Sequence, residues 1–396
     1  FRSTFMDEAH YGGSTENSKK ILSIYVKSAP TIFMSGTPYK TIDYYSIPRD
    51  HQLLWDLEDI TLCKNFTNPE TRERFCSKHG EEAEILSAKY NHQDIVQEYC
   101  KYADFTIITP NLKDDTLRDI LALTKDNNYG WSTKSLFSLK EQSVVKTGKE
   151  QDRRKPEFQE PEKLLDMMYR IFGKKNERDI QDSKYPENDV MMNRIHQIEY
   201  ASGGYLPSDH ISVVIAFLPD LHNIVRLSEA FKNLLEENNV IPDYYIVTIN
   251  SKMSGNAKKR IQDAVIKARN LGKKSVLVLS LRQCSLGVTI KNCDVVLHFS
   301  GSHSLDLVTQ MAFRSMTERE GKNHGFFIDM NIAGTVEFVV NMALQVYPNV
   351  HPKKAIQNLL LSKVVKINPD EWSYSCGDKN KLLTIQAEII YKINFK

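Results

Sequence analysis

The run Ser212–Phe217, with the sequence SVVIAF, is apolar at every position after the first. A strand that is hydrophobic without alternation is typical of a parallel sheet whose two faces are both covered by helices. Pro219 follows the run and opens an apolar stripe with helical spacing, from Leu221 to Leu235. This stretch therefore predicts an α/β fold.

Strand-like and helix-like segments alternate on both sides of this run. Later strands are expected at Tyr244–Ile249, Val276–Leu279, Val295–Phe299 and Phe326–Asp329. Earlier strands are expected at Thr4–Asp7, Thr31–Met34 and Phe105–Thr109, with a helical stripe over Glu16–Lys27. Alternation of this kind predicts parallel sheets joined by right-handed crossovers.

The chain divides by composition into four regions. Residues 1–124 and 201–335 each have the pattern of an α/β domain, and residues 336–396 that of a helical C-terminal extension. Residues 125–200 are expected to be a linker or insertion with a helical segment, because Lys146–Glu162 is rich in charge and poor in apolar residues. A length of 396 residues is sufficient for two or three domains with separate cores.

The overall composition argues against several classes of protein. Hydrophobic residues make up 41% and charged residues 26% of the chain, as in ordinary globular domains. The net charge of +2 gives no global excess for binding polyanions, so any nucleic-acid site must be a local patch. No apolar run is long enough to span a bilayer, and the six cysteines show no CxxC spacing. We therefore expect an intracellular protein without a membrane partner or a zinc site.

An acidic pair, Asp7-Glu8, ends the first predicted strand and is followed by Ala9 and His10. Two carboxylates at the end of a buried strand are costly unless they meet a cation or transfer a proton. Adjacent side chains on an extended backbone point to opposite sides, so one carboxylate can face a metal and the other a water. This arrangement suits the hydrolysis of a nucleoside triphosphate with Mg²⁺.

Three further segments follow along the chain. Ser35-Gly36-Thr37-Pro38 places two hydroxyl groups after the second strand, where they can hydrogen-bond the acidic loop, although a Gly-Pro turn explains it equally well. Ser285–Thr289 follows a strand, and a plain strand-to-loop junction has the same pattern. Gln310–Arg314 ends in an arginine that would otherwise be an exposed helical residue.

In this order the four segments resemble the motifs of superfamily 2 helicases and translocases of the DEAD/DEAH-box type. The resemblance implies two RecA-like parallel-sheet domains that face each other across a nucleotide cleft. It also implies ATP and Mg²⁺ as cofactors and a nucleic acid, DNA or RNA, as partner. Asp7 would hold Mg²⁺ through water, Glu8 would polarise the attacking water, and His10 would link this site to the next motif.

Five other residues take coupling or nucleic-acid-binding roles from the same resemblance. Ser35 and Thr37 would couple hydrolysis to strand movement. Gly287 would let the backbone approach a phosphate, and Thr289 and Asn250 would contact the nucleic acid nearby.

The last motif supplies the remaining catalytic residues. Gln310 and Arg314 fit its pattern, and Arg314 would be the finger that offsets charge on the γ-phosphate. Phe313 stands where the family has glycine, and Thr317 stands where it has a second arginine. Arg319 is the alternative for that second arginine.

A Walker A loop, Gly-x-x-x-x-Gly-Lys-Ser/Thr, does not occur in the 396 residues. We therefore expect the chain to be the C-terminal portion of a helicase or translocase. Its first domain would be incomplete at the N-terminus, and the chain alone would be inactive. The segments Phe313–Glu318 and Gly325–Asp329 look closest to helicases of large DNA viruses, so a viral protein is part of this hypothesis.

Two alternatives stay open. The chain could be a non-catalytic helicase-like module that binds nucleic acid or a partner protein, which the missing loop and the residues Phe313 and Thr317 favour. It could instead be the motor subunit of a restriction complex, since such motors share these motifs. The apolar stripes within residues 336–396 leave room for a docking partner.

A local basic cluster lies between Lys252 and Lys274, with eight lysine and arginine residues against one acid, Asp263. Such a face could follow a phosphate backbone. A solvated helix surface explains the same composition. A nucleic-acid interface and an ordinary exposed helix therefore both remain open for this segment.

Overall fold

The described part of the chain contains two sheets in which every strand pair is parallel. The computed structural model describes residues 4–7, 16–25, 30–36, 39–108, 136–140, 156–173, 190–219, 224–250, 256–281, 284, 290–300, 305–330, 332–347, 350–361 and 365–367. The prediction of an α/β fold with two parallel sheets, as expected for RecA-like domains, is confirmed.

The smaller sheet pairs β1 (Thr4–Met6) with β2 (Thr31–Phe33), and α1 (Glu16–Tyr25) lies between them in the chain. Met6 pairs with Phe33, and the Met34 N–H donates to the Met6 carbonyl at 2.8 Å. α2 (Tyr39–Tyr45) follows, and its Tyr45 ring stacks on Phe33 with the centroids 4.6 Å apart. The two carboxyl ends of these strands therefore lie side by side.

Four helices then form a separate small core, which the sequence pattern did not predict. They are α3 (Leu57–Lys64), α4 (Pro69–His79), α5 (Glu81–Lys89) and α6 (His92–Tyr99). Asp56 caps α3 by accepting from the Glu58 and Asp59 N–H groups. The core of this unit consists of Leu62, Cys63, Phe66, Phe75 and Ala83.

The larger sheet has seven strands in the order β5-β6-β4-β7-β8-β3-β9. In chain order they are β3 (Asp104–Ile108), β4 (Ser212–Phe217), β5 (Tyr244–Ile249), β6 (Ser275–Ser280), β7 (Cys293–His298), β8 (His324–Asp329) and β9 (Val365–Ile367). β4 is an interior strand, with β6 and β5 on one side and β7, β8, β3 and β9 on the other. After β4 the chain adds β5 and β6 on one side of it and then β7 and β8 on the other, so the strand order reverses at β4. In open parallel sheets, ligands bind beyond the carboxyl ends of the strands at a reversal of this kind.

Helices cover both faces of this sheet, as the apolar run of β4 predicts. One face packs against α7 (Pro161–Phe172), α8 (Met191–Ala201) and α9 (Ile224–Glu237). The other packs against α10 (Ala257–Asn270), α11 (Leu305–Ala312), α12 (Ile332–Val346) and α13 (Pro352–Leu361). Along β4, Val213 and Ile215 face the second group, whereas Val214 and Ala216 face the first.

Two segments differ from the sequence-based expectation. β3 was expected as the third strand of the first α/β region, but it lies between β8 and β9 in the larger sheet, with Ile108 opposite Ile328. β9 lies within residues 336–396, which were expected to form a helical C-terminal extension. Local hydrophobicity indicates that a segment is a strand but not which strand it pairs with, because pairing is a long-range property.

None of the helices in the described ranges is both long and apolar enough to cross a membrane.

Candidate functional site

The smaller sheet brings two of the predicted site residues to one edge. Asp7 directly follows β1 and is exposed, and Ser35 lies two residues beyond the end of β2. Since Met6 and Phe33 are partners in a parallel pair, both residues leave the sheet at the same edge. Glu8, His10 and Thr37 lie outside the described residues.

The larger sheet carries buried polar residues at its carboxyl edge. Asn250 directly follows β5 and is buried. His298 ends β7 and Asp329 ends β8, and their side chains are 3% and 1% exposed. The register of the two strands places them opposite each other, with His298 Nδ1 3.3 Å from Asp329 Oδ2. The predicted nucleic-acid residues Gly287 and Thr289 lie outside the described residues.

The imidazole of His298 is the unusual member of this edge. Neither ring nitrogen forms a hydrogen bond with another residue that the structure describes, because the approach to Asp329 lacks hydrogen-bond geometry. The ring lies beside Phe327, with the centroids 5.6 Å apart. A buried polar group without a hydrogen bond costs about 1–3 kcal/mol. Native proteins keep few such groups, and those that persist are often functional.

Gln310 and Arg314 lie on α11 and on the 3₁₀ turn Phe313–Met316 that follows it. The turn packs closely on β8, since a Cβ at Gly325 would lie 2.5 Å from the Ser315 carbonyl oxygen. Burial raises the pKa of the Cys284 thiol, and the positive charge of Arg314 opposes this rise. Arg314 therefore lies near the segment that follows β6.

Phe313, which departs from the glycine of the family pattern, has a structural role. Its ring contacts Phe105 of β3 with the centroids 5.3 Å apart and packs against the core on that face of the sheet. The side chain thus helps to attach β3 to the larger sheet.

Arg319, the alternative for a second finger, is engaged elsewhere. Its Nε donates to Asp294 Oδ1 at 3.2 Å, and its Nη1 donates to the carbonyls of Tyr205 and Glu320 at 2.9 and 2.7 Å. Asp294 is the second residue of β7, so this guanidinium lies at the amino edge of the sheet. Arg319 therefore does not serve the carboxyl edge, where the other candidate residues lie.

Asp294 is the centre of a charged cluster that no sequence motif predicts. Its Oδ2 accepts from Ser212 at 2.8 Å and contacts His210 Nε2 at 2.7 Å, and the Lys322 ammonium lies 3.6 Å from Oδ1. Burial alone would raise the pKa of Asp294, but His210, Lys322 and Arg319 outweigh it and lower the pKa to about 2. Burial lowers the pKa of Lys322, and Asp294 opposes that effect.

The basic cluster divides into two parts with different surroundings. Arg269 Nη2 donates to the Asp209 carbonyl at 3.2 Å, and Lys273 Nζ donates to the Pro242 carbonyl at 2.5 Å. These two side chains therefore fix loops at the amino edge. Lys259, Arg260 and Lys267 instead line a cavity of about 420 Å³ between α10 and β5.

No known protein family matches the sequence, and no curated protein matches it. Solved structures that are similar to the chain at low identity include the following three. The ATP-dependent Type ISP restriction-modification enzyme LlaBIII bound to DNA is 15% identical with a TM-score of 0.45, and the match covers 100% of this chain and 24% of that chain. A fragment of a putative HsdR subunit of a type I restriction enzyme from Vibrio vulnificus YJ016 is 13% identical with a TM-score of 0.40, and the match covers 85% of this chain and 45% of that chain. S. cerevisiae Dbp5 bound to RNA and ADP BeF3 is 9% identical with a TM-score of 0.34, covering 98% and 63%.

The chain thus spans less than half the length of the first two of these proteins. Identities and TM-scores at this level do not assign the chain to a family. Its function must be argued from its own residues.

Proposed function

We propose that the chain is part of an ATP-dependent nucleic-acid motor, a helicase or translocase, in which hydrolysis drives movement along a strand. The observation that carries this proposal is the parallel pairing of β1 with β2, which brings Asp7 and Ser35 to one edge. A motor of this class needs a carboxylate that holds Mg²⁺. In the family that the motifs resemble, a hydroxyl beside this carboxylate couples hydrolysis to movement of the nucleic acid.

The residues at this edge suit a hydrated magnesium ion. Asp7 is exposed, and hard carboxylate and hydroxyl oxygens are the donors that Mg²⁺ prefers while it keeps several waters. Asp7 would hold the ion through water, and Glu8 would orient the water that attacks the γ-phosphate. His10, Ser35 and Thr37 would transmit the effect of hydrolysis to the bound nucleic acid.

The larger sheet would supply the other half of the mechanism. Arg314 would approach the γ-phosphate when ATP draws the two sheets together. Gln310, from the same motif, would act at the same nucleotide site. Gly287, Thr289 and Asn250 would contact the nucleic acid. Reopening after hydrolysis would move the strand by one step.

The test is nucleic-acid-stimulated ATP hydrolysis by the native protein that carries this sequence. Glu8→Gln should lower turnover by a factor of about 10² or more, because a positioned general base contributes at least that much. The binding of a fluorescent ATP analogue should persist. Glu73→Gln, which changes an exposed carboxylate of α4, is the matched control and should leave turnover intact. Unchanged turnover in Glu8→Gln would contradict the assigned role.

A second candidate, a non-catalytic helicase-like module, is favoured by one specific observation. Phe313 stands where the motif has glycine, and its ring packs on Phe105 of β3, so the segment before Arg314 contributes to the core of the larger sheet. The native protein would then bind DNA or RNA without binding the ATP analogue. The same two measurements, made with single-stranded DNA and with RNA, separate the module from the motor and identify the preferred strand. A restriction motor would in addition translocate on duplex DNA.

A further inference from the structure

A groove between α10 and β5 lies outside the proposed catalytic site. The cavity of about 420 Å³ has Tyr245 and Val247 of β5 on one side and the helical residues Lys259, Asp263 and Lys267 on the other. β5 is the terminal strand of the seven-stranded sheet. Within the described part of the chain, no strand pairs with its outer side.

Two lysines direct positive charge into this groove. Lys259 and Lys267 are both exposed and lie on the same face of α10, and neither forms an ion pair with another described residue. With a rise of 1.5 Å per residue, their positions on the helix are about 12 Å apart along its axis. Arg260 lines the same groove, so three cationic side chains surround the one acidic residue, Asp263.

The edge of β5 offers a second kind of contact. A terminal strand presents backbone N–H and C=O groups that can pair with an added strand, and edges of this kind are used to bind extended peptides. Tyr245 and Val247 face the α10 side of the sheet and are half-buried, so they form an apolar floor beside the lysines. The groove therefore combines a strand edge, an apolar floor and the ammonium groups of Lys259 and Lys267.

The spacing of these features selects a ligand. Side chains of a β-strand return to the same face every two residues, and each residue advances about 3.3 Å. Two carboxylates four residues apart are thus separated by about 13 Å, which matches the two lysines. The residue between them on that face would lie over Asp263 and must be neutral. A nucleic-acid backbone carries a charge at every nucleotide and would place one against Asp263.

We propose that this groove binds an extended acidic segment of a partner protein, which adds a strand to the outer edge of β5. Its two carboxylates pair with Lys259 and Lys267, and a neutral residue between them faces Asp263. This surface is separate from the proposed nucleotide site and gives the motor a docking point on its larger sheet.

Binding of a defined peptide tests the proposal. The probe is a fluorescent peptide with the core Glu-Val-Thr-Val-Glu, and its partner is the native protein. The double variant Lys259→Glu, Lys267→Glu should weaken binding by about tenfold or more, since two favourable ion pairs become repulsive. Lys258→Glu is the matched control, because Lys258 is exposed on the same helix but does not line the groove, and it should bind as the wild type does.

A second measurement distinguishes strand addition from simple charge attraction. Saturation with the peptide should slow hydrogen exchange of the outward-facing amides within Tyr244–Ile249. Thermal melting of each variant should match the wild type, so that a loss of binding is not a loss of folding. The proposal is overturned by equal weakening in Lys258→Glu, by equal binding of a peptide with Gln in place of Glu, or by unchanged exchange in β5. Exclusive binding of single-stranded DNA or RNA at the two lysines would also overturn it.

Discussion

The amino edge and the carboxyl edge of the seven-stranded sheet differ in whether their buried polar groups have hydrogen-bond partners. At the amino edge, Asp294 is in contact with a histidine, a serine, an arginine and a lysine. At the carboxyl edge, the imidazole of His298 is also buried and makes no hydrogen bond with another described residue. A satisfied network of charges stabilises a fold, whereas an unsatisfied group stores a cost that a ligand or a moving element can relieve. The Asp294 cluster therefore stabilises the fold, and the carboxyl edge is where we propose that function lies.

The largest expected effect is the loss of Asp294. Asp294→Asn should lower the free energy of unfolding by about 3–5 kcal/mol, because it leaves the buried Lys322 and Arg319 charges without their counter-ion. Urea denaturation followed by circular dichroism measures the change. Asp209→Asn, an exposed carboxylate next to the cluster, is the control and should have little effect. A loss below about 1 kcal/mol would mean that the amino edge is not the stable one.

The stabilisation by Asp294 should depend on pH in a defined window. Its pKa is about 2 in the folded protein against a reference of 3.8, so the folded state favours the ionised form. The contribution is therefore complete above about pH 4 and disappears as the pH falls towards 2, which amounts to about 2 kcal/mol. The difference in unfolding free energy between wild type and Asp294→Asn should shrink across this window. A constant difference from pH 5 to pH 2 would show that the Asp294 carboxylate is not paired.

The smallest expected effect on stability is at the carboxyl edge. His298→Phe should change the free energy of unfolding by no more than about 1 kcal/mol, because an apolar ring removes a polar group that is already unsatisfied. The same substitution should lower nucleic-acid-stimulated ATP hydrolysis by the native protein if this edge is functional. Strong destabilisation with unchanged hydrolysis would reverse the comparison and make His298 a structural residue.

The sequence predicts those parts of the fold that depend on local pattern. The apolar runs located β4 to β8. The ends of α10 also follow local rules, since the Asn256 side chain caps the helix and Gly272 after it adopts φ +67°. The sequence pattern placed β3 in the first α/β region, and this prediction was wrong, because β3 pairs with β8 in the larger sheet. Contacts between distant segments leave no local trace in the sequence. The four helices from Leu57 to Tyr99 were missed for a similar reason: their shared core is small and their surfaces are polar.

The candidate site divides in the same manner. Asp7 and Ser35 were found from motifs that have short, fixed sequence patterns, and the structure adds only that their strands are neighbours. The Asp294 cluster joins residues that are far apart in the chain, so no motif could reveal it. For Arg319, sequence spacing suggested a catalytic position, and the contact with Asp294 shows a structural one. The roles of all the candidate site residues stay predictions: Asp7, Glu8, His10, Ser35, Thr37, Asn250, Gly287, Thr289, Gln310 and Arg314.

The position of β3 has a consequence for how the protein is made. Its two neighbours, β8 and β9, are synthesised long after it, so a nascent chain carries this apolar segment without either partner until β8 has been made. Pairing over such a distance raises the contact order and slows folding. The sheet can be completed only after the ribosome has passed Ile367. A chain truncated before His324 would leave the backbone groups of β3 unpaired, and unpaired strands promote aggregation.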